Sequence, residues 1–288
     1  EYIAAYFGII RAGGIVLPVN NLLAQEEVKF ILDDASATIV FYDAECSNTV
    51  NKLLQREQEN RQYIQFSEVT RQYAPGEDRM NLSLSDPDEV STILYTSGTT
   101  GRPKGALLTH RNIVSNALAA TEVINITSKD RFVVFLPLFH SFTYTVCVVL
   151  PLLQGSMISL LPGVKPFQRV VKSLIFDRIT LFVAIPTVYK ILAEKDMPRL
   201  VKWLLRLRLC ISGAAPLPSR VQTQFMKITG GVLVEGYGLT ESSPVTHCNP
   251  LDATMKTVKI GSIGIPWPDT EAKIVDAKTG KKELPHGK

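Results

Sequence analysis

A chain of 288 residues with 45% hydrophobic content is long enough for one large core or two modest ones. Its 20% of charged residues excludes a disordered tail and a coiled coil. The net charge of +4 is spread unevenly: residues 1–89 carry 15 acidic and 7 basic side chains, whereas residues 90–288 carry 12 and 24. The positive part suits an anionic substrate such as a nucleoside triphosphate, and would also suit a membrane surface. A nucleic-acid partner is not expected, and oligomeric state stays open.

Taken in chain order, helical and strand patterns alternate. A helix near 1–12 precedes an apolar strand at Ile15–Val19. A helix over 24–35 leads to a strand at Thr38–Tyr42. Residues 44–60 are polar and weakly helical, and 67–88 are irregular. Val90–Tyr95 is a strand, 96–105 a glycine-rich loop and 106–109 a second short strand. Thr109 can cap a helix over about 110–124. Residues 132–164 contain no charged side chain, a length that alone would suit a transmembrane helix. Pro137, His140, Pro151, Gln154, Gly155 and Pro162 break it, so it reads as a strand, a loop at 137–141, a buried helix near 142–153 and a strand near 156–161. Helix 166–176, strand Leu181–Ala184, helix 186–195, strand Leu207–Ser212, helix 217–229 and strand Val232–Gly236 follow. Two short strands surround Pro266-Trp267-Pro268.

Continuous V/I/L/F strands with helices between them predict an α/β fold: layered sheets with substantial parallel pairing, covered by helices on both faces. In such sheets ligands sit beyond the carboxyl ends of the strands. The unusual loops 96–105, 137–141, 213–216 and 237–241 all follow strands, and they are expected to converge on one rim.

Two of these loops carry the chemistry. Thr96-Ser97-Gly98-Thr99-Thr100-Gly101-Arg102-Pro103-Lys104-Gly105 combines backbone amides, hydroxyls and a lysine point charge, a set that suits phosphate. It is not the P-loop pattern, and no G-x-G-x-x-G occurs. In Glu235-Gly236-Tyr237-Gly238-Leu239-Thr240-Glu241, two glycines let a flat ring approach a ligand. Tyr237 could stack on a purine, Thr240 could donate to a phosphate, and Glu241 is a hard oxygen ligand suited to Mg2+ shared with substrate phosphates. On the residues alone, His140 reads as a satisfied core histidine, and His110, His247 and His286 have no metal-like spacing. The basic-apolar segment 199–208 reads as a solvated helix leading into a strand, with a peripheral membrane contact left open. Cys46, Cys147, Cys210 and Cys248 form no CxxC and read as reduced thiols of a cytoplasmic protein.

Y-T-S-G-T-T-G-R-P-K-G at 95–105 with G-Y-G-L-T-E-S at 236–242 resembles the adenylate-forming superfamily of acyl-CoA synthetases, luciferases and peptide-synthetase adenylation domains. R-A-G-G-I-V-L-P-V-N at 11–20, P-L-F-H at 137–140, I-S-G-A-A-P-L-P at 211–218 and G-S-I-G-I-P-W-P-D-T-E-A-K-I-V-D at 261–276 are similar in the same order, and the wording leans towards fatty acyl-CoA synthetases. The resemblance implies ATP- and Mg2+-dependent activation of a fatty acid to an acyl-adenylate, then transfer to coenzyme A. It implies that loop 97–104, with Ser97, Gly98, Thr99, Thr100, Gly101 and Lys104 next to Thr96, cradles the β- and γ-phosphates. Gly213, Ala214 and Ala215 would lie beside the adenine and the acyl group. Tyr237 would stack on adenine between Gly236 and Gly238, in a nucleotide-binding stretch that begins at Glu235. Thr240 would bind the α-phosphate, Glu241 the magnesium, and His140 would sit where the acyl tunnel meets the carboxylate. Phe139, Phe142, Val183, Pro186 and Thr187 are expected acyl walls.

The same resemblance places the ribose-binding Asp, the hinge and the C-terminal lid domain beyond Lys288. The chain is therefore expected to be part of a larger N-terminal domain, with a first subdomain over about 1–88, a second over about 89–260 and the start of a β region over 261–288, and to be inactive alone. The competing readings are a non-catalytic nucleotide- or acyl-binding module, an aryl-acid or amino-acid adenylating enzyme, and a membrane-inserted protein.

Overall fold

The computed structural model describes residues 1–55, 61–72, 85–96, 101–194, 198–250 and 258–284. The chain forms two compact units: Glu1–Val114 with Leu138–Ser141, and Ser115–Pro137 with Phe142–Lys288.

The first unit contains α1 (Tyr2–Arg11), α2 (Gln25–Asp34), β1 (Ile39–Tyr42), α3 (Ser47–Leu54), β2 (Gln62–Gln65), α4 (Phe66–Gln72), β3 (Val90–Thr96) and β4 (Lys104–Thr109). β1 and β2 pair in parallel, and β3 and β4 form an antiparallel hairpin. The strand expected at 15–19 is reduced to a single bridge between Val16 and Thr92. Pro18 has no N–H to extend the ladder. The hairpin also corrects the expected convergence of four loops on one rim, because β3 lies outside the large sheet. The short loop after it can return the chain only antiparallel; a parallel return needs a crossover of about a dozen residues or more.

α5 (His110–Ile124) begins at a reciprocal cap. Thr109 Oγ1 accepts from the Asn112 N–H at 3.1 Å, and Asn112 Oδ1 accepts from the Thr109 N–H at 3.0 Å. The second unit then runs through β5 (Arg131–Val134), α6 (Ser141–Tyr144), a π-turn at Thr145–Val149, α7 (Leu150–Leu153), β6 (Met157–Leu160), α8 (Phe167–Phe176), β7 (Leu181–Ala184), α9 (Pro186–Glu194), α10 (Arg199–Leu204), β8 (Leu209–Ser212), α11 (Ser219–Thr229), β9 (Val232–Gly238), β10 (Val245–Cys248) and β11 (Ile265–Pro266). The uncharged span thus resolves as expected into strand, loop, helical stretch and strand. Among the described residues no helix is long and apolar enough to cross a membrane.

The sheet of the second unit has seven strands in the order β11-β10-β9-β8-β7-β5-β6, parallel from β6 to β9 and antiparallel beyond. Side chains alternate across it with period two. Cys210 and Leu233 face a core with Val170 and Leu174 of α8, Tyr189 and Leu192 of α9 and Phe225 of α11. Ile211 and Gly236 face the opposite side, towards α5 and the 141–153 stretch. Helices therefore cover both faces, as continuous apolar strands require. In α10, Trp203 is 73% exposed while Val201 packs on the core, the pattern of a solvated helix leading towards a strand.

One ion pair ties the amino-terminal ends of three parallel strands together. Arg208 Nε and Nη2 each donate at 2.8 Å to the two oxygens of Asp130, which is buried. Thr180 Oγ1 donates to the same carboxylate at 2.7 Å and the Thr127 N–H at 2.9 Å. Burial alone would raise the Asp130 pKa, yet these donors hold it below the ordinary value of 3.8. A lowered carboxylate pKa stabilises the fold fully above the unfolded value and loses that contribution as pH falls through the folded one. Arg208→Met should therefore destabilise the protein by about 3 kcal/mol near neutral pH, because it strands a buried charge. Urea melts should show that deficit shrinking towards about pH 3. A deficit independent of pH would contradict this role for the pair.

Candidate functional site

In the first unit, the hairpin presents the amino end of the glycine-rich loop. Thr96 pairs with Lys104 and Tyr95 with Gly105, so both ends of the loop are fixed in register. Ser97, Gly98, Thr99 and Thr100 lie outside the described residues. Gly101 has φ +107°, a left-handed value that a side chain would strain. A Cβ on Gly105 would meet Ile93 Cγ2 at 2.9 Å and the Tyr95 ring at 3.2 Å. Helix α2 holds the loop from beside: the Tyr95 hydroxyl donates to the Asp34 carboxylate, and the Arg102 guanidinium lies 5.5 Å over the Phe30 ring. Burial, then Asp34, push the Tyr95 phenol up, so it stays a donor. Lys104 is exposed.

His140 also belongs to the first unit, at the end of the loop after β5. Its ring lies 4.4 Å from that of Phe139, centroid to centroid. Desolvation lowers its pKa below the ordinary 6.5, although the side chain keeps open surface. The imidazole is therefore neutral around pH 7. An exposed, neutral ring at a loop end is not the satisfied core histidine that the residues alone suggested.

In the second unit, β8 and β9 bring together two of the predicted stretches. Ser212 pairs with Glu235, so Gly213–Ala215 leave β8 beside Gly236–Gly238, where β9 runs on past its neighbour to pair with β10. Gly213 is covered by the Phe142 ring; a Cβ there would sit 2.6 Å from Phe142 Cζ. Ala214 follows at φ +67°, and Ala214 and Ala215 are exposed. Glu235 points to the face opposite Gly236, where its Oε1 accepts from the Leu217 N–H at 3.2 Å and so ties the 213–217 loop to β9. Tyr237 is 46% exposed, its ring 6.1 Å from that of His247 in an edge-on arrangement. Gly238 leaves no room for a side chain, since a Cβ would fall 1.8 Å from the Pro244 carbonyl oxygen.

Thr240 and Glu241 stand on the single 3-10 turn Thr240–Ser242. Glu241 is exposed. What holds this turn was not visible in the motifs. Asn116, buried on α5, donates through Nδ2 to the Val245 carbonyl at 2.8 Å and the Ser242 carbonyl at 3.4 Å. Its Oδ1 accepts from the Val245 N–H at 3.3 Å. Trp267, 4% exposed, donates its indole N–H to the Asn116 carbonyl at 3.3 Å. Neither residue carries a local sequence signal for this role; their partners lie 129 and 151 residues away.

Beneath these residues lies a cavity of about 20 Å³. α5 lines it with Asn116, Ala117, Ala120 and Ile124, and the 141–153 stretch with Phe142, Thr145, Val146 and Leu150. Ile211, Gly236, Val245, Cys248 and Trp267 complete it. Among the described residues no carboxylate or amine lines it, and burial pushes the Cys248 thiol up to about 12. Of the expected acyl walls, only Phe142 takes part. Val183 and Pro186 are buried elsewhere and Thr187 is exposed, while Phe139 falls in the first unit.

The chain matches the family described as AMP-binding enzyme over residues 1–288, and it belongs to that family. It is 31% identical to the long-chain-fatty-acid–CoA ligase of Bacillus subtilis strain 168, over 99% of this chain and 56% of that protein. It is 30% identical to a feruloyl-CoA synthase of an Amycolatopsis species, over 95% of this chain and 53% of that one. The ATP-bound crystal structure of MatB from Rhodopseudomonas palustris superposes with a TM-score of 0.86 at 27% identity, covering 100% of this chain and 56% of that one. The chain therefore spans about half the length of the relatives it matches.

The glycine contacts predict an order of severity. Gly238→Ala drives a Cβ into backbone and should cost about 3 kcal/mol, whereas Gly213→Ala need only displace a phenyl ring and should cost about 1 kcal/mol. Thermal melts of the two variants that reversed this order would contradict the geometry.

Proposed function

We propose that the full-length protein activates a carboxylic acid with ATP and passes the acyl group to coenzyme A. The acid carboxylate forms a bond to the α-phosphorus, the α–β bond breaks and pyrophosphate leaves. The coenzyme A thiolate then attacks the acyl carbon and AMP leaves. The observation that carries this reading is the apolar cavity lined by Gly236 and Phe142 at the end of the sheet where the 213–217 and 237–241 loops emerge. Among the described residues, its lining offers no carboxylate to an amino-acid ammonium and no cation to a second carboxylate. That favours an unsubstituted fatty acid of medium or long chain.

Each residue has a role in this reading. Lys104 and the loop 96–101 grip the β- and γ-phosphates, with charge matched by charge. Tyr237 offers a ring face to adenine, and the absence of side chains at Gly236 and Gly238 lets the nucleotide approach. Gly213, Ala214 and Ala215 form the wall between adenine and acyl group, held in place by Glu235. Thr240 donates to the α-phosphate. His140, neutral at pH 7, can share a proton with the acid carboxylate without adding a charge. Glu241, exposed on its turn, is the hard oxygen donor that would hold magnesium, since Mg2+ shared with substrate phosphates needs only one or two carboxylates. Magnesium, when bound, supplies neutralisation of the phosphate charge.

A second reading, an aryl acid, is favoured by the two aromatic walls Phe142 and Trp267 and by the feruloyl-CoA synthase relative. Pyrophosphate release by the full-length protein decides between them, measured with fatty acids of graded length, ferulate, benzoate and amino acids. Fatty acids should give the highest kcat/KM, and Glu241→Gln should lower kcat/KM for Mg-ATP by about 100-fold. Activity confined to aryl or amino acids would replace the fatty-acid reading.

A further inference from the structure

The same cavity carries an inference about which acids enter it, resting on the acyl-activating reading above. Both lining helices run from the loop end of the sheet towards its other end. On α5, Asn116 bonds to the loop residues Ser242 and Val245, and Ile124 lies eight residues further on, about 12 Å along the axis. On the 141–153 stretch, Phe142 covers Gly213 at the loop end and Leu150 marks the far end. The depth available is therefore bounded by Ile124 and Leu150.

The width is set differently on the two sides. α5 contributes the small, buried side chains of Ala117 and Ala120. Trp267 contributes the largest side chain of the lining. It is held at two points: its indole N–H bonds to the Asn116 carbonyl, and its backbone N–H bonds to the Thr246 carbonyl at 2.8 Å. Prolines on both sides, Pro266 and Pro268, fix the backbone further. Phe142 has no such anchor on its ring, being hydrocarbon throughout. The present volume of about 20 Å³ has room for about one water. An acyl chain must therefore displace side-chain volume, and Trp267 is the part least able to yield.

We propose that Trp267 is a specificity-determining residue of the acyl site, restricting it to unbranched acids of medium length by filling the volume that longer or broader chains would need. Removing indole bulk opens that volume. Adding bulk on the facing helix, at Ala120, closes it further.

The test is a ratio: kcat/KM for palmitate over kcat/KM for hexanoate, from pyrophosphate release by the full-length protein. Trp267→Leu should raise the ratio about tenfold, and Ala120→Phe should lower it by about the same factor. A general loss of packing or stability would scale both acids together and leave the ratio unmoved. Where Trp267→Leu fails to fold, Ala120→Phe alone carries the test. An unchanged ratio in the variants, with the wild type active on fatty acids, overturns the assignment of Trp267 and Ala120 while leaving the proposed function intact. A wild type inactive on every fatty acid overturns the functional reading itself.

Discussion

The second unit depends on one side chain more than on any other. Asn116 spends its whole amide on the backbone at Ser242 and Val245, and its own carbonyl receives the Trp267 indole. Three segments 126 to 151 residues away in sequence are thereby held to one turn of α5: the Thr240–Ser242 turn, the start of β10 and the residue after β11. The amide is buried, so each bond lost would leave a polar group without water to replace it. The position of Glu241 and the shape of the apolar cavity are two consequences of the same constraint.

The alternation of the parallel strands separates two kinds of work. One face of β8 and β9 buries Cys210 and Leu233 in a closed core and turns Glu235 inward to hold the 213–217 loop. The other face gives Ile211 and Gly236 to the cavity. At the opposite end, Asp130 and Arg208 fix the strand starts. The strand ends can therefore carry glycine-rich loops with little bulk, since the sheet is secured elsewhere.

How much of this could be read from residues alone follows from the range of each interaction. The α/β alternation, the cap at Thr109 and the loop 213–216 are local patterns of periodicity, glycine and capping chemistry, and the structure has them where expected, whereas β9 runs two residues into the expected loop 237–241. Membership of the AMP-binding family was legible from the same motifs. The direction of β4 was not, because a short apolar strand looks the same whichever neighbour it joins. The strand at 15–19 shrank to one bridge because of Pro18. Which residues line the cavity was only partly legible: Phe142 lines it, whereas Val183, on the same face of the sheet as Ile211, does not, because contact with a cavity also depends on helices far along the chain. Asn116 and Trp267 had no signal at all, since an asparagine in an amphipathic helix and a tryptophan between prolines become informative only once their distant partners are known.

The central claim is that the cavity beside Asn116 and Trp267 receives the acyl chain. Trp203 is exposed on α10 and Trp267 lines the cavity, so the two indoles can be told apart. In the full-length protein carrying Trp203→Phe, the emission of Trp267 is the difference between that variant and one that also carries Trp267→Phe. A fatty acid brominated along its chain should quench that emission on binding with ATP, while the unlabelled acid of the same length should not. Saturable binding of the brominated acid, followed by calorimetry, with no quenching of Trp267 would contradict the account.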